Sequence, residues 1–430
     1  MFGSSEVGFR ENQRLFGEDC YTNDPENTVS DIKRLLGKRF SEIGHEASHY
    51  FTPLSESENG GIDVSVDYCG DSHKYNVERL AAMIFRQLVS YSGSVATPTV
   101  FSIPRGFSEA QLHSFRHAAK VAGINLVGFI HDLSAAALVY AHTRVQHGSQ
   151  REVVLFADMG QSFFQLQLVE FSENHFRVLS HHSEMLGGHD FTERLQKYIS
   201  EEIAAKYKID VTKKPRNVWQ MRKESLRLKK VLSTVPMVKF EYFIMDTDVS
   251  VQITRAKFDD VCSDLLERIQ PAVQKVLSEG AEALKASGSD LSGGVYKSIV
   301  SFFFADMHAL LGVSLEIIGA GLIVPAVLSR LKAFSGAADA RRSLDSQCCR
   351  ALGAGLFAAL FYNEAKGIQV ERGEGDAKYT IDDPTLAGIN QNMLGEDVSV
   401  EKEREEELAM CKRDEVNAFS FIRRFRCASC

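Results

Sequence analysis

The residues with the clearest chemistry are Asp158-Met159-Gly160-Gln161-Ser162-Phe163-Phe164-Gln165, a turn after the apolar run Val153 to Ala157, and the later glycine pair in Leu186-Gly187-Gly188. A carboxylate beside glycine at the end of a strand suits a phosphate ligand, because glycine lets backbone N–H groups close on an anion with no Cβ in the way. Only one glycine, Gly160, stands in the first turn. The layout is that of a phosphate cradle whose side chains have drifted.

Such turns need strands on either side. Val153 to Phe156, Phe163 to Val169 and Phe176 to Ser180 read as three closely spaced strands, ahead of a helix from Asp190 to about Tyr207. Upstream, Thr97 to Ile103 is β-rich, Ser108 to Ala122 has helical spacing, Leu126 to Ile130 is a short apolar strand and Ser134 to Ala141 is helix-prone. Downstream, Trp219 to Leu232 is a basic helix with Met221, Leu226, Leu228 and Val231 as its apolar positions. Val238 to Ile253 reads as a hairpin turning at Asp246-Thr247-Asp248. This order specifies an α/β fold with phosphate turns between strands.

Composition narrows the class. The 430 residues, 44% hydrophobic and 25% charged, suit a soluble globular protein of about two or three folding units. A net charge of −8 argues against nucleic acid as partner. Ile299 to Leu328 is largely apolar, but Asp306, His308, Glu316, three glycines and Pro325 interrupt it, which predicts a buried strand and turn instead of a membrane span. The first eighteen residues lack the apolar core of a signal peptide, so a cytoplasmic or nuclear location is expected, with eight scattered cysteines in reduced form.

Four segments, in order, resemble the nucleotide-binding domain of the heat-shock-protein-70 family, within the actin-like (ribonuclease H-like) ATPase superfamily. Asn27-Thr28-Val29-Ser30-Asp31-Ile32-Lys33-Arg34-Leu35-Leu36-Gly37 is similar to that family's N-T-V-x-D-A-K-R-L-I-G. Phe101-Ser102-Ile103-Pro104-Arg105-Gly106-Phe107, with Ala122-Gly123-Ile124-Asn125 and Ser134-Ala135-Ala136-Ala137, resembles its V-T-V-P-A-x-F, A-G-L and T-A-A-A run. Ile317-Ile318-Gly319-Ala320-Gly321 with Pro325 resembles the adenosine turn V-G-G-x-T-R-I-P. The run from Gln161 to Leu168 leans toward the larger, heat-shock-protein-110 branch. The resemblance spans Phe9 to Phe361 and implies a two-lobed domain over residues 1–365, a linker over 366–400 and a charged helical segment over 401–430 that is similar to the start of the family's lid.

The resemblance also implies roles. Lys33 matches a catalytic lysine that orients the attacking water. Asp132 stands for a Glu that reaches Mg²⁺ through water, and Asp158 for the metal-side Asp of the second phosphate turn. Gly160, Ser162, Gly187 and Gly188 fall on that turn and its partner. Lys229, Lys230 and Ser233 fall on the helix that contacts ribose and adenine, and Gly319 and Gly321 on the adenosine turn. ATP or ADP with Mg²⁺ is the implied ligand, and another heat-shock-protein-70 chaperone and unfolded clients are the implied partners.

Departures qualify these roles. The partner Asp of the second turn is Gln165, its threonine is Phe163, a ribose-binding Glu is Leu226, an adenine-packing Arg is Ile323, and a further Asp is Gln347. Losing a carboxylate from a Mg²⁺ site removes charge the cation needs, so hydrolysis is expected to be weak or absent. The family's first D-x-G-T-T loop and its peptide-binding β-sandwich have no counterpart in this sequence. About thirty residues between Leu284 and Ser314 exceed the connection the family needs, and the stretch Val295 to Ala305 reads as a retained intron. Lys378 to Ile381 is the one strand candidate after Phe361. The terminal Cys427-Ala428-Ser429-Cys430 reads as a reduced tail. The expected function is a nucleotide-exchange co-chaperone that binds ATP; an active chaperone ATPase in a longer native form and a nucleotide-free scaffold are the alternatives.

Overall fold

The apolar run that precedes Asp158 lies in the interior of a six-stranded sheet, covered on both faces. In this computed structural model of the protein, the described residues are 5–20, 24–91, 97–145, 152–172, 175–244, 246–286, 313–362 and 380–390. The chain divides into two units, one drawn from Met1–Thr99 and Phe107–Gly128, the other from Val100–Gly106 and Phe129–Ile389.

The first unit has two small antiparallel sheets. Strands β1 (Val7–Arg10), β2 (Gln13–Phe16) and β3 (Thr28–Val29) form one in the order β2-β1-β3; β4 (Leu54–Glu56), β5 (Ile62–Tyr68) and β6 (Asp71–Asn76) form the other. Strand β5 alternates buried Ile62, Val64, Val66 and Tyr68 with more exposed residues, as a half-buried strand should. Phe9 stacks on Tyr75 at 5.4 Å and meets Tyr68 edge-on at 5.5 Å. The helices Val77–Ser90 and Glu109–Val121 are capped by Asn76 and Ser108, whose side chains accept from the N–H groups of Arg79 and Gln111. Strands β7 (Thr99–Ile103) and β8 (Leu126–His131) pair with each other, and the chain passes from one unit to the other within them.

The second unit is built on β9 (Glu152–Met159), β10 (Phe164–Ser172) and β11 (His175–Glu184), followed by the hairpin β12 (Met237–Ile244) and β13 (Thr247–Thr254), then β14 (Ser314–Ile318), β15 (Ala340–Arg341) and β16 (Thr380–Asp382). The large sheet has the order β15-β14-β9-β10-β11-β16; β9, β10 and β11 are antiparallel, while β14, β15 and β16 join in parallel. Side chains alternate between the faces. Val153, Leu155, Ala157, Leu166 and Leu168 join one core, with residues of the helices Gly188–Tyr207, Pro215–Leu232, Ile269–Ala286 and Pro325–Ser335. Val154, Phe156, Val169 and Phe171 join another, with residues of Asp132–Val145 and Cys349–Phe357. Burial on both sides is why β9 reads as a continuous apolar run.

The expected three strands and the helix after them are present. The hairpin turns earlier than expected: Ile244 pairs with Thr247 and Phe243 with Asp248, so Thr247 and Asp248 are already strand residues, and Asp246 takes a φ of 59°. Ser314–Ile318 is the buried strand expected within the long apolar stretch, and no helix among the described residues is long and apolar enough to cross a membrane. Of the strand expected at Lys378 to Ile381, Thr380 and Ile381 fall on β16, and Lys378 and Tyr379 lie outside the described residues. The stretch Val295 to Ala305 expected to be a retained intron, the helical segment expected over 401–430 and the terminal cysteine pair lie outside the described residues.

Strand β16 is fastened by a buried ion pair. Asp383, directly after it, accepts hydrogen bonds from both terminal nitrogens of Arg105, from Ser134 Oγ (2.7 Å) and from Thr385 Oγ1 (2.7 Å). Arg105 also donates to Gln167 Oε1 (3.1 Å), and the two charged side chains are 5% and 0% exposed. Beside them His131 is buried, and its ring nitrogens have no hydrogen-bond partner among the described residues. Burial first, and the Arg105 charge second, push its imidazole down to about 4.

Candidate functional site

The Asp158 turn is set by cross-strand register. Asp158 on β9 faces Gln165 on β10, and both belong to the sheet face that carries the helix Asp132–Val145. Asp132 opens that helix, so three polar groups meet: Gln165 Nε2 donates to Asp132 Oδ2 at 3.1 Å and to Asp158 Oδ2 at 3.5 Å. The orientation of this amide is fixed from its other end, because the Arg105 backbone N–H donates to Gln165 Oε1 at 3.0 Å and only the carbonyl oxygen accepts. Asp132, Asp158 and Gln165 are all nearly inaccessible.

A fourth group completes the cluster. Arg350 Nη1 donates to Asp158 Oδ2 at 2.9 Å, and the charge of Asp158, opposed by burial and aided by Asp132, holds the guanidinium above its ordinary range. Its helix, Cys349–Phe357, crosses Asp132–Val145 closely: a Cβ on Gly353 would stand 2.0 Å from the Ala135 carbonyl oxygen. Arg350 lies three residues before Gly353 and so shares that helix face. The loop leading in is held by Glu316, 0% exposed on β14, which accepts from Ser343 N (2.7 Å), Ser343 Oγ (2.9 Å) and Leu344 N (3.1 Å).

The two glycine turns pack on one another. The N–H groups of Gly188 and His189 donate to the carbonyls of Gly160 and Gln161, each at 2.9 Å, and a Cβ on Gly187 would stand 2.3 Å from Gln161 O. Gly319 takes a φ of 87°, and a Cβ there would meet Asp158 Oδ1 at 2.4 Å. The turn at Gly319 therefore closes directly against the turn after Asp158, and glycine is required where they touch. Ser162 is buried, as is Phe163, in the threonine's place.

On the helix Pro215–Leu232 the adjacent lysines part company, as residues about 100° apart on a helix must. Lys229 is 7% exposed, donates to Gly188 O and to Thr192 Oγ1 (2.8 Å), and is pushed down to about 8 by burial and the neighbouring Lys230 charge. Lys230 is exposed. Ser233 Oγ donates back to Lys229 O at 3.2 Å, and Ile323 beside the adenosine turn is 46% exposed. Lys33 is exposed on the one-turn helix Ile32–Leu35 of the first unit; its neighbour Arg34 is the buried one, 3.4 Å from Glu46. Cys349 is buried and Cys348 half-buried, and both are free thiols.

The family model described as Hsp70 protein matches residues 3–288 of this chain. The chain belongs to the Hsp70 family. Its fold class is accordingly that of the actin-like ATPases. Among curated relatives it is similar to a heat shock protein homolog of Lachancea kluyveri (29% identity over 290 residues, 64% of this chain and 42% of the relative). It is also similar to a heat shock 70 kDa protein of Neurospora crassa (29% over 317 residues, 70% and 49%) and to heat shock protein 88 of Dictyostelium discoideum (28% over 287 residues, 64% and 37%). The chain spans less than half the length of these relatives.

Adenine nucleotide with Mg²⁺ is the ligand of the Hsp70 family, and the two parts of that ligand fare differently here. Gly319 and Gly321, expected on an adenosine turn, approach Asp158 and Met159 closely. Mg²⁺ does not fit the residues present: it demands oxygen ligands in near-octahedral array at about 2.0–2.1 Å. Asp158 and Asp132 instead face an amide N–H₂ group, and Asp158 also faces a guanidinium. Arg350, Glu316 and Arg105 were not singled out as functional in the sequence. Glu316 was visible as a lone carboxylate in an apolar strand, which signals a buried acceptor; Arg350 carried no comparable signal.

Proposed function

We propose that this chain is a chaperone-system protein of heat-shock-protein-110 character, which holds adenine nucleotide without turning it over and promotes ADP release from an Hsp70 partner in the cytosol or nucleus. The observation that carries the reading is the pairing of Gln165 and Arg350 with the two carboxylates. In the resemblance these carboxylates serve the cation that activates the γ-phosphate. Here an uncharged amide faces both carboxylates and a guanidinium pairs with Asp158, so the oxygen ligands that would hold the cation for phosphoryl transfer are taken up by fixed donors.

The test has two arms. Single-turnover assays with the full chain and radiolabelled ATP are expected to show no hydrolysis above the buffer rate, and stopped-flow release of fluorescent ADP from a purified Hsp70 is expected to accelerate when the chain is added. Turnover would overturn the first half of the reading, and unchanged ADP release the second. A nucleotide-free scaffold is the second reading, favoured by the Gly188 and His189 N–H groups, which are bonded to the carbonyls of Gly160 and Gln161.

A further inference from the structure

Asp158 of the phosphate turn and Asp132 at the start of the helix Asp132–Val145 form a carboxylate pair that faces fixed donors. We propose that Arg350, with the amide of Gln165, stands where the family places its divalent cation, so that this chain takes a nucleoside di- or triphosphate without Mg²⁺. The inference rests on the reading that the chain holds nucleotide. Three features of the cluster support it.

The Gln165 amide cannot turn to offer oxygen to a metal, because its Oε1 is held at 3.0 Å by the Arg105 N–H. A metal on Asp158 Oδ2 would have to displace the Arg350 guanidinium, which lies 2.9 Å from that oxygen. Arg350 has donors to spare: a guanidinium carries five N–H bonds, and among the described residues Asp158 is its one hydrogen-bonded partner. With its side chain 30% exposed, the remaining N–H groups can meet a phosphate, and a planar fork of donors matches phosphate oxygens well. The position of this fork is built into the fold by the Gly353 crossing and the Glu316 clamp.

The experiment is calorimetric titration of the full chain with ATP and with ADP, once in excess Mg²⁺ and once in EDTA. The expected result is a dissociation constant that agrees between the two conditions within about twofold. Arg350→Ala is expected to weaken binding in EDTA by roughly tenfold or more, and Arg350→Ala with Gln165→Asp, which adds a third carboxylate to Asp132 and Asp158 and removes the guanidinium, is expected to make binding Mg²⁺-dependent. Binding by the unaltered chain in Mg²⁺ but not in EDTA would overturn the inference and leave nucleotide binding intact. Binding in neither condition would overturn both it and the nucleotide-holding part of the proposed function. The comparison on the unaltered chain decides the matter even where a variant does not fold.

Discussion

Replacing Asp383 by Asn should release β16 from the edge of the large sheet. The carboxylate accepts from Arg105, Ser134 Oγ, Thr385 Oγ1 and the Thr385 N–H (3.2 Å); Asn keeps one carbonyl oxygen, loses the charge and leaves Arg105 buried beside Ser134 and Gln167 without a counter-ion. Removing one partner of a buried pair costs about 3–5 kcal/mol. Strand β16 is joined to β11 over only three residue pairs, His175 to Thr380 through Arg177 to Asp382, so it can detach and rehydrate Arg105 at less expense than unfolding the unit. At about 3 kcal/mol the opening equilibrium rises roughly a hundredfold. Hydrogen exchange read by mass spectrometry over 175–177 and 380–382 should accelerate by about that factor, while β9 and β14 keep their protection. Asp382→Asn, at the exposed neighbour, is the control and should change little. Unchanged exchange in Asp383→Asn, or an equal effect in the control, would refute the clasp.

Acid should act in two windows. Burial alone would raise the Asp383 carboxyl, but its Arg105, Thr385 and Ser134 donors outweigh that and hold it well below the usual range. Its stabilisation is therefore complete above about pH 3.9 and is lost as pH falls through the folded value. His131, pushed down to about 4 from an ordinary value near 6.5, stays neutral in the fold while the unfolded chain takes up a proton. The His131 share of stability should fall by up to about 3 kcal/mol between roughly pH 6.5 and 4, beside a share from His181, which burial also pushes down to about 4, so His131→Phe should make that limb of a urea-denaturation profile shallower. Gly353→Ala would put a methyl 2.0 Å from the Ala135 carbonyl, so it should lower the melting temperature by a loss of about 1–3 kcal/mol and be tolerated only if the two helices part. With a thiol reagent on the native chain, followed by peptide mapping, exposed Cys69 should be labelled well before Cys20 and Cys262, whose thiols burial pushes up to about 12.

The sequence determined much of this protein by itself. The length of the apolar runs around Asp158 set β9, β10, β11 and the helix after them, and the Asn27 to Gly37 motif lies within the residues 3–288 that the family model matches. Turn position in the β12–β13 hairpin was less legible, because Asp246, Thr247 and Asp248 are all turn-prone and only cross-strand register selects which of them pair. What the tertiary structure alone decided is the state of the site. Lys229 and Lys230 look alike in sequence, and packing against Gly188 and Thr192 buries one and leaves the other in water. Gln165 reads as a lost carboxylate; the Arg105 N–H, 60 positions away, turns its amide nitrogen toward the two that remain. Arg350 meets Asp158 across 192 positions only because Gly353 lets two helices touch. Periodicity reports which face of an element is buried, but the partner of a charged side chain depends on helix crossings and strand register, which are fixed only when distant segments pack.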